Sequence, residues 1–170
     1  SHTTTFFVPV VLRSEGRGLS YFTSELTLTN RGVGAASVRF DYTGVGGSPA
    51  GSATTALGPR RQVVLSDVIS WLRTNGVPIP ATGNAVGTLR ATFSGLASAR
   101  DAAILVRTTT PVPPTAPVGA AGLSYTGVRL EELPAGPVLL GGLRSDALDR
   151  SNVALQNAGA AGDGDATLRL

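Results

Sequence analysis

Apolar and polar residues alternate along several stretches of this chain, and a period of two predicts β-strands. Phe22, Ser24, Leu26 and Leu28 interleave with Thr23, Glu25, Thr27 and Thr29. A strand turns successive side chains to opposite faces, so one row meets a core and the Thr-rich row meets water. Asn30-Arg31-Gly32 then reads as a turn. Ala36, Val38, Phe40 and Tyr42, set against Ser37, Arg39 and Asp41, give the returning strand. The Gly-rich stretch from Thr43 to Gly51 predicts a loop, and Ser52 to Leu57 a shorter strand. Leu89, Ala91 and Phe93 alternate with Arg90 and Thr92, and the mostly apolar run from Ala102 to Thr109 predicts a central strand. The Pro-rich run Pro111 to Pro117 is extended and stays out of a sheet interior. Leu123 to Val128 predicts a short edge strand, and Leu133-Pro134 a break.

One segment changes period. Leu65, Val68, Ile69 and Leu72 fall at i, i+3, i+4 and i+7, a single helical stripe, so a short crossover helix is expected over about 66–74. Ser66 is placed to cap it and Asp67 to favour its positive end. Gly76 ends it in a left-handed conformation, and Pro78 forbids continuation. Trp71 sits beside the stripe, at the edge of the expected core.

The chain also repeats itself. Leu12-Arg13-Ser14 recurs as Leu143-Arg144-Ser145, the run Ser24 to Gly32 as Ser151 to Gly159, and Val38-Arg39-Phe40 as Leu168-Arg169-Leu170. The order is kept. This predicts one β-sandwich module over 3–128 and the opening three strands of a second over 137–170. Three strands alone leave an edge unpaired, so they are expected to pack on the first module or on a neighbouring chain.

Composition narrows the class. Of 170 residues only 15% are charged against 42% hydrophobic, so Thr, Ser, Gly, Asn and Ala build much of the surface. The basic residues are all Arg, the net charge is +3, and no basic stripe with interleaved aromatics appears, which argues against nucleic acid. No cysteine is present, hence neither a disulfide frame nor a thiolate metal site. The absence of Met makes Ser1 a processed or excised start in this reading. The apolar run Phe6 to Leu12, broken by Pro9, is too short to span a membrane.

Several runs resemble the immunoglobulin-like repeat modules of large bacterial secreted and surface proteins. They are Phe6-Phe7-Val8-Pro9-Val10-Val11, Phe22 to Asn30 and Gly58-Pro59-Arg60-Arg61-Gln62-Val63-Val64, with Gly87-Thr88-Leu89-Arg90 and Arg107-Thr108-Thr109-Thr110. The resemblance implies an all-β, immunoglobulin-like antiparallel β-sandwich outside the cell, often in tandem. These are framework residues, so no functional residue is carried over.

Catalytic chemistry finds little support. His2 stands at the terminus, where nothing holds an imidazole for a triad or a metal. Glu25 and Asp41, on the wet faces of strands expected to be neighbours, form a candidate carboxylate pair, but solvated partners of Arg39 or Arg90 are the better reading. Gly162-Asp163-Gly164-Asp165 offers hard oxygen ligands for calcium at Asp163 and Asp165, without the full ligand series of a known calcium loop. Tyr21, Tyr42, Trp71 and Tyr125 are candidate sugar platforms, although few aromatics are left over from the core.

The sequence therefore predicts a non-enzymatic bacterial structural protein, secreted or at the cell surface, with no cofactor beyond the calcium candidate. It is expected to self-associate by edge-strand addition into a filament or surface layer. Phe6, Val8, Val10 and Leu12 near one end, with Leu168 and Leu170 at the other, are the expected exchanging elements. A monomeric adhesive or spacer module of a tandem protein and a glycan-binding accessory module are the alternatives.

Overall fold

The computed structural model describes residues 1–16, 20–111, 119–134, 136–147, 151–159 and 167. The chain lays down β1 (His2–Glu15), β2 (Tyr21–Asn30), β3 (Ala36–Gly44), β4 (Ala50–Leu57) and β5 (Arg61–Leu65) before α1 (Val68–Thr74). After the helix come β6 (Ala85–Leu96), β7 (Ala102–Pro111), β8 (Ala120–Thr126) and the two-residue β9 (Val128–Arg129). Every pairing is antiparallel. The ladder runs β4-β3-β6-β1-β2-β7-β8, with β5 beside β2 and β9 beside β1.

This ladder folds over on itself as an open, sandwich-like sheet. β1 and β2 share only the pairs Arg13↔Thr23, Ser14↔Phe22 and Glu15↔Tyr21. Beyond that point β2 is flanked by β5 and β7, while β1 stays with β6. One half is thus β4-β3-β6-β1 and the other β5-β2-β7-β8. The core lies between them, filled from alternate positions such as Val38, Phe40 and Tyr42 of β3 and Ile104 and Val106 of β7. The chain is all-β apart from α1 and short 3-10 turns.

The helix begins one residue later than its sequence cap. Asp67, not Ser66, is the N-cap: its Oδ1 accepts from the Ser70 amide at 2.9 Å and its Oδ2 from Ser70 Oγ at 2.8 Å. Arg13 Nε lies 3.1 Å from the same Oδ2, which ties β1 to the helix start. A carboxylate gains from both the open amides and the guanidinium, which a serine hydroxyl does not. The other end follows the expected form. Gly76 has φ +94°, its amide reaches Arg73 O at 3.1 Å and Val77 N reaches Leu72 O at 3.0 Å, a Schellman closure. Trp71 packs edge-on against Phe40, with centroids 5.5 Å apart, so the helix closes one end of the core.

Several expectations are corrected. The loop expected from Thr43 to Gly51 is mostly a turn, because β3 runs to Gly44 and β4 starts at Ala50. β5, unassigned from its polar-then-apolar pattern, is a strand because β2 offers it a ladder from Leu26 to Asn30. β1 is no free exchanging edge: β6 pairs it along nearly its whole length, and Phe6 and Val8 point into the core. The three strands expected over 137–170 are absent among the described residues, which form only a single bridge at Ser145. Among the described residues the run Ser151 to Gly159 belongs to no ladder, and it lies against the outer face of β1, β3 and β6. Leu168 and Leu170 lie outside the described residues, as does most of the Pro-rich run after Pro111.

Candidate functional site

The two halves of the sandwich do not close along the border where β1 faces β8, and this seam is the candidate site. Its origin is local. β1 is irregular between Val8 and Val11, where its register on β6 slips. Pro9 has no amide hydrogen to give a ladder, so a bulge falls there. On the side away from β6, side chains take the place of a strand. Tyr125 of β8 donates its hydroxyl to Val10 O, and Leu12 N donates to Ser24 Oγ at 3.0 Å. Ser24 Oγ in turn meets Thr108 Oγ1 at 2.8 Å, and Tyr21 N donates to Thr110 Oγ1 at 3.0 Å. Ser24, Thr108 and Thr110 are all buried, so the seam is lined by satisfied hydroxyls that join β1, β2 and β7.

β8 supplies the other wall. Among the described residues it pairs with β7 alone. Tyr125 stands opposite Val106 and Leu123 opposite Thr108, so both share the inward face of their sheet. Tyr125 is partly covered by the core, yet Leu123 is 61% exposed. No charged residue occurs from Ala120 to Thr126. Edge strands commonly carry a charge or a proline that blocks pairing, and β8 carries neither. Gly122 is required where it stands: a Cβ there would collide with the Thr108 carbonyl and with Thr109.

Burial pushes the Tyr125 phenol up to about 12. Burial raises the Tyr42 phenol as well. The sign follows from the folded value lying above the ordinary 10.0. Below that ordinary value the phenol is neutral in both states and its contribution is complete. As pH rises toward 12 the unfolded chain ionises first and stability falls. Tyr125→Phe is therefore expected to flatten the alkaline loss of stability, followed by tyrosinate absorbance alongside unfolding. A Tyr125 phenol that titrates at the ordinary 10.0 overturns this.

A second depression lies on the outer face of the other half. Phe7, Pro9, Thr43, Val86, Thr88 and Arg90 floor a groove of about 690 Å³, and 153–159 forms its far side. Arg90 stands over the Phe7 ring at 5.6 Å. Gln156 Nε2 donates to Leu89 O at 3.1 Å beside the Pro9 bulge, while Gln156 Oε1 is buried without a partner.

The expected site residues divide accordingly. Val10 and Leu12 lie half-buried at the seam, whereas Phe6 and Val8 belong to the core. Asp163 and Asp165 lie outside the described residues; among those described, no three His, Cys, Asp or Glu side chains gather as a metal cluster. Glu25 and Asp41 are not neighbours. Glu25 pairs with Arg107 at 3.0 Å in one half, and Asp41 with Arg39 at 2.9 Å in the other, because β6 rather than β2 adjoins β3. Of the aromatics, Tyr42 is buried and Trp71 packs on the core. Ser24 and Leu123 are seam residues that pattern reading passed over, and Tyr125, expected as a sugar platform, bonds across the seam to Val10 O. Ser24 did leave a signal, a hydroxyl in an otherwise apolar row. Among the described residues no helix is long and apolar enough to cross a membrane.

No family model and no curated protein matches this chain. Its fold is similar to the crystal structure of Thermotoga maritima 1070, with a TM-score of 0.51 and 14% identity over 73% of this chain and 91% of that one. At that identity the likeness is one of fold, and it supports the all-β sandwich.

Proposed function

We propose that this chain is a non-enzymatic structural module that associates with copies of itself by β-strand addition, as the subunit of an extracellular bacterial filament or surface layer. The observation that carries the proposal is the β8 edge, which has no second partner strand among the described residues, is uncharged and leaves the inward-facing Leu123 in solvent. An added strand would satisfy the open amides and carbonyls of β8 and cover that leucine at once. Head-to-tail addition need not close into a ring, so it propagates. The weakly charged surface, at 15% charged residues, opposes such contacts less than a typical surface does. The resemblance of the framework runs to immunoglobulin-like repeats of secreted bacterial proteins agrees with this reading.

Sedimentation over a concentration series is the test. The wild-type chain is expected to grow in mass with concentration, and Leu123→Asp to shift the onset upward by about tenfold or more, the effect of an unpaired charge at a desolvated edge. Leu123 is largely in solvent, so the variant keeps its far-ultraviolet circular dichroism. A wild-type monomer at all concentrations overturns the proposal and leaves a solitary sandwich.

A further inference from the structure

We infer that Ser151–Asn157 is the donor strand of this association, a copy of β2 that seats on the β8 edge of a second molecule; the inference rests on the self-association proposed above. Its first support is that the sequence repeat returns a serine-to-amide bond at one end and the same Asn-x-Gly contact at the other. In the first module Ser24 Oγ accepts from Leu12 N at 3.0 Å, and Asn30 Oδ1 accepts from Gly32 N at 3.0 Å. In the later segment Ser151 Oγ accepts from Arg144 N at 2.8 Å, and Asn157 Oδ1 accepts from Gly159 N at 3.0 Å. Ser151 N also donates to Arg144 O at 2.8 Å, so the Leu-Arg-Ser arm and the Ser arm meet in both places. The turn that ends β2 is formed again after Asn157, while at the other end Ser151 takes the amide of Arg144, one residue past the counterpart of Leu12.

The copy differs from β2 in what lies between. Leu26 and Leu28 are wholly buried, while their counterparts Val153 and Leu155 are 40% and 56% exposed. The strand-like apolar row exists without a core to receive it. Gln156 holds the segment against the outside of β6 through Leu89 O, a side-chain attachment rather than a ladder. Among the described residues the segment joins no ladder, and its apolar row stays partly in solvent.

The β8 edge suits it better than the other free edge of comparable length. The inward-facing residues of β4, Ala53 and Leu57, are already buried, whereas Leu123 of β8 is not. Seated antiparallel on β8, Val153 and Leu155 fall on the face that holds Leu123. Neither Ser151–Asn157 nor Ala120–Thr126 carries a charge, in a chain with 14 basic and 11 acidic residues, so no repulsion opposes the pairing. A single seven-residue strand makes an interface at the small end of the range, below about 1,200 Å², which implies weak association strengthened by repetition along a filament.

The absence of cysteine makes the test direct. Two separately tagged single variants, Leu123→Cys and Val153→Cys, are mixed and oxidised. The expected product is a disulfide between the two different chains, in excess of either like-with-like product. Leu155→Asp, at an exposed position, is expected to raise the concentration of half-assembly about tenfold while circular dichroism stays unchanged. Wild-type assembly that persists in Leu155→Asp, with no mixed disulfide, overturns the donor assignment and leaves self-association standing. A wild-type chain that never assembles removes both.

Discussion

Phe40→Ala will cost about 3–5 kcal/mol of folding stability, the range for emptying a large aromatic from a packed core. The residue is fully buried on β3, where it pairs with Ala53 of β4 and Ala91 of β6. Those neighbours are small, so they cannot fill the space that the ring leaves. The ring also meets Trp71 edge-on at 5.5 Å, so its loss loosens α1 from the sheet as well. A domain with roughly 5–15 kcal/mol in total would lose a large share of it. Trp71 is the chain's single tryptophan, and its fluorescence reports the event directly. Urea unfolding should show a lower midpoint together with a red-shifted native emission. A cost below about 1.5 kcal/mol, in the range of a volume-conserving swap, would mean that Phe40 is not the keystone between sheet and helix.

Arg129→Met should cost about 2–4 kcal/mol, through carbonyls left without donors. Arg129 ends the two-residue β9 with its side chain only 16% exposed. Its guanidinium donates to Ala99 O at 2.8 Å, Ala102 O at 2.7 Å and Thr4 Oγ1 at 3.3 Å, and stands 4.7 Å over the Phe6 ring. It therefore ties β9 to two places distant in sequence, the start of β1 and the turn that leads into β7. Methionine fills the stem volume but supplies no donor. Lysine restores the charge without the planar fork, so Arg129→Lys is expected to recover less than half of the loss. Glu131 and Glu132, which approach the same guanidinium at 3.8 and 4.0 Å, are mostly exposed, and Glu→Gln at either should change stability by less than about 1 kcal/mol. Equal losses at the arginine and at the two glutamates would show that the ion pairs, not the carbonyl bonds, carry the effect.

These two residues are of different kinds. Phe40 belongs to the pattern of alternation and was expected in the core. Arg129 was not singled out, because a cation beside two acidic residues reads as a solvated cluster until the chain folds back over Phe6. Tyr125 follows the same rule. Its role depends on a bulge in β1 more than a hundred residues earlier in sequence.

Alternation alone determined the greater part of this protein: the all-β class, the inward rows of β2, β3, β6 and β7, and the single helix with its glycine end. Period and turn chemistry act over a few residues, so a local reading recovers them. The Asn-x-Gly turns were likewise legible, and in both places the asparagine Oδ1 accepts from the glycine amide. Only tertiary structure decided which strands are neighbours. It set β1 beside β6 with a seam toward β8, kept Glu25 from Asp41, and among the described residues left Ser151–Asn157 outside any ladder. Pairing depends on which edges remain free once the whole sheet has formed, and no window along the chain contains that information.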